Sequence, residues 1–218
     1  MSDDGAAGGD RHDFAVAGSE TVYDGAIVAL RVDEVAMPGG ATARREVVEH
    51  HAAVVIAAVD EDDRITLIRQ YRHPLGRRIW ELPAGLMDVT GEAALAGAQR
   101  ELHEEAGLAA SRWSVLVDLA ASPGFTDETL RVYLAEGITH VGRPEAHDEE
   151  ADLEVRSVPL GEAVAMVFAG GIVNAAAVAG ILAVSAVRTG HGRTRTPDTP
   201  PPVTAAAFAA RARSRGGR

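Results

Sequence analysis

Glu101, Glu104 and Glu105 crowd together just after Arg100, and Glu92 stands eight positions before that arginine. Residues 92 to 106 carry helical periodicity, and Gly107 suits the left-handed position that closes a helix. At about 100° per residue with Ala98 as zero, Ala94 falls near −40°, Leu102 near +40° and Leu95 near +60°, which makes an apolar stripe. Glu105 then falls near −20°, Glu101 near −60° and Glu104 near −120°, beside that stripe and partly inside it. A merely solvated face belongs on the opposite side, and like charges at helical spacing cost about 0.2–0.5 kcal/mol per pair. Carboxylates at a core edge require a counter-charge, yet the chain has no Lys and all 21 of its basic residues are Arg. A hard divalent cation supplies one. Carboxylates at this spacing offer the oxygen ligands that Mg²⁺ or Mn²⁺ prefers, with the remaining positions left to water and substrate phosphates. Arg100 can brace one carboxylate through a bidentate hydrogen bond.

The missing residue types narrow the chemistry further. Without Lys or Cys there is no P-loop lysine, Schiff base, cysteine nucleophile, Cys-ligated zinc, iron–sulfur cluster or disulfide. The eight histidines, among them His50, His51, His103, His140 and His147, show no pair with ligand spacing that suggests zinc.

The elements that must position these carboxylates alternate along the chain. Ala26 to Val35 and Arg45 to Glu49, joined by Met37-Pro38-Gly39-Gly40, read as an antiparallel hairpin; Ala53 to Val59 and Ile65 to Gln70, joined by Asp60 to Asp63, read as a second. Further strands are expected at 113–119, 130–135 and 153–158, and further helices at 160–168 and 174–187. Such a succession predicts an α/β (α+β) fold with a mixed sheet covered on both faces.

Between Glu92 and Leu108 the sequence resembles the Nudix hydrolases, whose signature is Gly-x5-Glu-x7-Arg-Glu-U-x-Glu-Glu-x-Gly-U, with U a bulky aliphatic. Glu92, Arg100, Glu101, Leu102, Glu104, Glu105, Gly107 and Leu108 all match, while six residues rather than five separate Gly85 from Glu92. The resemblance is nearest to the ADP-ribose pyrophosphatase branch, through Gln70-Tyr71-Arg72, Trp80-Glu81-Leu82-Pro83-Ala84-Gly85 and Ser122-Pro123-Gly124. It implies a Nudix-type α/β/α sandwich with an added N-terminal hairpin. It also implies metal ligation by Glu101, Glu105, Glu104 and the Ala84 carbonyl, and substrate contacts from Arg72, Glu81, the Leu86 amide, Ser122, Pro123, Gly124 and Glu128. Arg45 and Glu46 would reach the adenosine from a hairpin that helps to build a domain-swapped homodimer.

A second acidic cluster, 147–152, reads by itself as a polar loop. The resemblance turns it into the source of the general base, with Glu150 favoured over Glu149. The implied reaction is Mg²⁺- or Mn²⁺-dependent hydrolysis of ADP-ribose to AMP and ribose 5-phosphate, with Glu104 and Arg100 assisting. Two alternatives remain open at this point: another nucleoside diphosphate sugar or oxidised nucleotide as substrate, or a non-catalytic sensor of ADP-ribose.

Length and charge set the outer bounds. The chain of 218 residues has a formal net charge of −11, which argues against a general nucleic-acid binder. Residues 1–18 read as an acidic, Gly-rich tail without the apolar core of a signal peptide, which implies a cytoplasmic protein. A body at 19–190 precedes a Pro/Thr- and Arg-rich end, 191–218, expected as a solvated tail, with contact to the acidic body or to nucleic acid as alternatives. Residues 163–187 carry no charge, but Gly170-Gly171 and Asn174 divide them into two buried helices rather than one membrane span.

Overall fold

A computed structural model of the chain describes residues 13–144 and 152–216. Strands β1 (Val16–Asp24), β2 (Val28–Ala36) and β3 (Thr42–His50) form an antiparallel sheet in that order. β2 and β3 are the expected hairpin, turned at Gly39 and Gly40, whose φ values of 89° and 83° are open to glycine. β1 is an additional strand, and it begins inside the segment expected as a tail. Nearly every residue of it is exposed, so its ladder to β2 holds it and no apolar alternation announces it.

β4 (Ala53–Ala58), β5 (Arg64–Arg72), β6 (Arg77–Glu81) and β7 (Ala84–Leu86) lead into helix α1 (Ala94–Ala106). Then follow β8 (Leu108–Ala120), β9 (Thr129–His140) and β10 (Glu154–Pro159), and helices α2 (Leu160–Phe168), α3 (Ala175–Arg188) and α4 (Ala207–Gly216). The second expected hairpin does not form. β4 joins a mixed sheet, β7-β4-β9-β8, and β5 joins a different one, β10-β5-β6; a single bridge from Val59 to Ile65 links the two among the described residues. The cause lies in β4, where all six residues are buried. A strand covered on both faces belongs in a sheet's interior, and β4 takes β9 as a parallel neighbour and β7 as an antiparallel one.

Alternate residues of β4 feed two cores. Val54, Ile56 and Ala58 pack with Ala98 and Leu102 of α1, while Val55 and Ala57 pack with Ala163 of α2 and with Ala177, Ile181 and Val184 of α3. The result is the layered α/β/α arrangement expected. Asn174 caps α3, its side chain accepting from the Ala177 amide at 2.9 Å. No helix among the described residues is long and apolar enough to cross a membrane. Gly180 lets α3 approach the sheet, because a Cβ there would lie 2.7 Å from Leu82 Cδ1 and 3.2 Å from Val132 Cγ1. Gly180→Val should therefore lower stability by about 2 kcal/mol, measured by urea unfolding.

The C-terminal run differs from the solvated tail expected of it. Arg195 exchanges both backbone hydrogen bonds with Val115, and its guanidinium meets Asp118 at 2.8 Å. The Thr199 carbonyl accepts from Arg131, and Phe208 is 1% exposed. Contact with the acidic body is thus what the structure selects. Asp118 offers the arginine a partner, and Phe208 is the large apolar anchor of an Ala-rich stretch, 205–210.

Candidate active site

α1 delivers the acidic signature. Its end is closed by Gly107 at φ 66°, whose amide bonds to the His103 and Leu102 carbonyls. Glu101 and Glu105 are buried and Glu104 is half-buried, as the helical angles predict. Arg100 gathers the acids. Its Nε and Nη2 fork onto the two oxygens of Glu92 at 3.0 and 3.1 Å, and its Nη1 donates to Glu101 at 2.6 Å and to Glu104 at 2.8 Å. These bonds hold Glu92 below the usual carboxylate range and raise Arg100.

β7 lies against the helix. The Ala84 amide donates to Glu105 Oε2 at 2.8 Å, and a Cβ on Gly85 would come within 2.0 Å of Glu101 Cδ. Glycine is needed at 85 for this close approach, not for its φ. Gly85→Ala must displace Glu101, and a shift of about 1 Å in a catalytic group costs roughly 100-fold. The expected result is a loss of that order in kcat, with a melting temperature close to the parent's.

From β6, Glu81 enters the same neighbourhood, fully buried. It accepts a bidentate fork from Arg72 at 2.8 and 2.7 Å and a longer bond from Gln70 at 3.4 Å. Arg72, expected on the substrate, is thus held through one edge of its guanidinium by Glu81 while 42% of its side chain is exposed. Burial pushes the Glu105 carboxyl up to about 8; the Ala84 amide pulls it down, Glu101 raises it, Arg72 lowers it and Glu81 raises it.

These residues fit a hard cation. Among the described residues no three acids or histidines stand ready to hold one, because Arg100 draws Glu101 and Glu104 to itself. The buried Glu105, however, has two carboxylate neighbours in a chain without Lys. The oxygen-only donor set is the one that Mg²⁺ or Mn²⁺ selects.

The remaining expected residues lie on several elements. Ser122, Pro123 and Gly124 make a turn in which the Ser122 carbonyl accepts from the Phe125 and Thr126 amides, and Glu128 lies 3.6 Å from His50. Arg45 and Glu46 are exposed on β3, where Arg45 donates to the Arg44 carbonyl. Leu86 closes β7 with its backbone paired to Ala53. Glu149 and Glu150 lie outside the described residues. The partnership of His50 with Glu128 had no sequence signal, since the two are far apart in the chain and neither belongs to the signature.

Braced carboxylates on a helix packed against a glycine strand, inside an α/β/α sandwich, are the features on which the resemblance to the Nudix hydrolases rests. The chain belongs to the Nudix family: the NUDIX domain model matches residues 49–175, and the protein is therefore a Nudix hydrolase, of a family that generally uses divalent metal ions. It is 55% identical over 200 residues, 92% of this chain and 97% of the relative, to an ADP-ribose pyrophosphatase of Mycobacterium tuberculosis (strain ATCC 25618 / H37Rv). It is also 35% identical over 148 residues, 68% of this chain and 80% of the relative, to an ADP-ribose pyrophosphatase of Bacillus subtilis (strain 168). A crystal structure of an ADP compounds hydrolase shares the fold with a TM-score of 0.72 at 23% identity, over 82% of this chain and 96% of that one.

Proposed function

We propose that this Nudix hydrolase cleaves the diphosphate of ADP-ribose to AMP and ribose 5-phosphate with Mg²⁺ or Mn²⁺. The observation that carries the substrate is the 55% identity, across 92% of the chain, to the mycobacterial ADP-ribose pyrophosphatase. Glu101, Glu105 and Glu104, with the Ala84 carbonyl, hold the cation, and Arg100 keeps the acids in register. A bound divalent cation neutralises the diphosphate and makes a water more acidic. Glu150, or Glu149 in its place, takes the proton as the water oxygen adds to one phosphorus and the bridging P–O bond breaks. Arg72, positioned by Glu81, the Leu86 amide, Ser122 to Gly124 and Glu128 bind the substrate, and Arg45 and Glu46 reach its adenosine.

The chain works as a homodimer in this reading. Its support is the exposed apolar surface of the N-terminal sheet at Val16, Val22, Tyr23 and Ile27. A net charge of −11 argues against nucleic acid as the partner, and the small-molecule nucleotide-sugar substrate rests on the likeness to the mycobacterial enzyme. The test is AMP release from ADP-ribose with each metal, beside GDP-mannose and ADP-glucose. Faster turnover of either comparison substrate would move the assignment to another nucleoside diphosphate sugar.

A further inference from the structure

The reaction proposed above gives no part to residues 201–211, yet they pack on both flanks of the loop 122–128. That loop is stitched to β3. The Val48 amide donates to the Phe125 carbonyl at 2.8 Å, and the Val48 carbonyl accepts from the Asp127 amide at 3.3 Å and the Thr126 hydroxyl at 2.8 Å. The His50 amide donates to the Asp127 carboxylate at 3.0 Å. Val48 and Thr126 pair in parallel, so the loop extends the edge of the sheet that carries Arg45 and Glu46.

The C-terminal run grips the two ends of this seam. Arg211 forks onto Glu49 at 3.0 and 3.2 Å, between Val48 and His50, and reaches the Thr21 hydroxyl of β1 at 3.1 Å. Phe208 sits edge-on to the His51 ring with centroids 4.8 Å apart. Among the described residues His51 Nδ1 is buried with no hydrogen-bond partner, and Phe208 packs against that ring. On the other flank the Ala205 amide donates to the hydroxyl of Thr129, the residue after Glu128, at 3.4 Å. Residues 201–205 and Ala209 line a cavity of about 420 Å³, with the run held on either side by the Thr199 carbonyl on Arg131 and by Ala205 on Thr129.

We infer that Phe208 and Arg211 are positioning residues for substrate binding: the C-terminal strap fixes the end of β3 against the loop 122–128, and through that seam aligns the groups that hold the nucleotide. The inference rests on the substrate reading above for its kinetic arm alone. The strap's anchors are Thr21, Glu49, His51 and Thr129, on β1, β3, the residue after β3 and β9 rather than on α1, so binding and chemistry should separate.

The test uses the full chain as parent, Phe208→Ala, Arg211→Ala and Arg211→Lys. For the two Ala variants the KM for ADP-ribose should rise about tenfold with kcat within about twofold, and Arg211→Lys should recover part of the loss. Amide hydrogen exchange at Val48, His50 and Asp127 should quicken about tenfold while Leu102 in α1 keeps its protection. A fall in kcat at constant KM overturns the inference, as does exchange that is unchanged at the seam or equally faster in α1. Should Phe208→Ala fail to fold, the Arg211 pair decides. If the parent leaves ADP-ribose intact, the substrate reading falls, and the exchange pattern still settles whether the strap holds the seam.

Discussion

Glu105→Gln is expected to abolish hydrolysis and at the same time to make the metal-free protein more stable in alkali. The loss should be roughly a thousandfold or more, equivalent to about 4 kcal/mol of transition-state stabilisation, because Gln retains the shape but not the charge that a cation requires. The gain has a different origin. In the metal-free fold, burial holds the Glu105 carboxyl up at about 8, against an ordinary value of 4.5. Between those pH values the unfolded chain has released its proton and the folded chain retains it. Stability therefore falls as pH rises through this window and levels off above about 8.

A shift of that size corresponds to a loss on the order of 5 kcal/mol for the parent. A Gln at 105 does not titrate and can still accept from the Ala84 amide through its carbonyl oxygen. Urea unfolding in chelator at pH 5, 7 and 9 should show a declining parent and a nearly level variant, the two separating most at pH 9. Saturating Mg²⁺ should reverse the order, since only the parent gains from the ion. Parallel pH profiles in chelator would mean that Glu105 is not held protonated by its surroundings.

Much of this site could be read before any coordinates. The signature helix is legible because its period, its acids and its closing Gly107 agree with one another, and the angles that put Glu101 and Glu105 on the core edge match their burial. α2 and α3 were equally plain, since Gly170 and Asn174 punctuate an uncharged run. The partner of β4 was not legible. A fully apolar strand followed by an acidic turn looks like half of a hairpin, and only burial on both faces, a tertiary property, sends it to β9 and β7. β1 escaped for the opposite reason, having no buried face to give a period.

The strap shows another limit. Its composition, rich in Pro, Thr and Arg, is that of a solvated segment, and among its described residues Ala205 and Phe208 are the buried apolar ones. Other pairings reach partners far away in sequence: the Val115 backbone and Asp118 for Arg195, Glu49 for Arg211, and Arg131 for the Thr199 carbonyl. Long-range ion pairs leave no local pattern. For the same reason the anchoring of Arg72 on Glu81 was invisible, although both residues stood out individually.

Arg100→Ala should destabilise the metal-free protein and do so far less when a divalent cation is present. Arg100 is the shared partner of Glu92, Glu101 and Glu104, and its loss leaves Glu101, a buried carboxylate, without that counter-charge in a chain that has no Lys. Breaking such a pair costs on the order of 3 kcal/mol. The pH dependence identifies the cause. Glu92 sits below its ordinary range when bound to Arg100, so its contribution is present above about 4.5 and is lost as pH falls through the lower folded value. The gap between parent and variant should accordingly be widest near neutrality and narrow once pH falls below about 4.5. Thermal melts with chelator and with Mg²⁺, at pH 7 and pH 4, measure both effects. A cation bound by the freed acids replaces part of the lost charge, so Mg²⁺ should raise the variant's melting temperature more than the parent's. If the variant melts with the parent in chelator at pH 7, the guanidinium is not what holds these acids together.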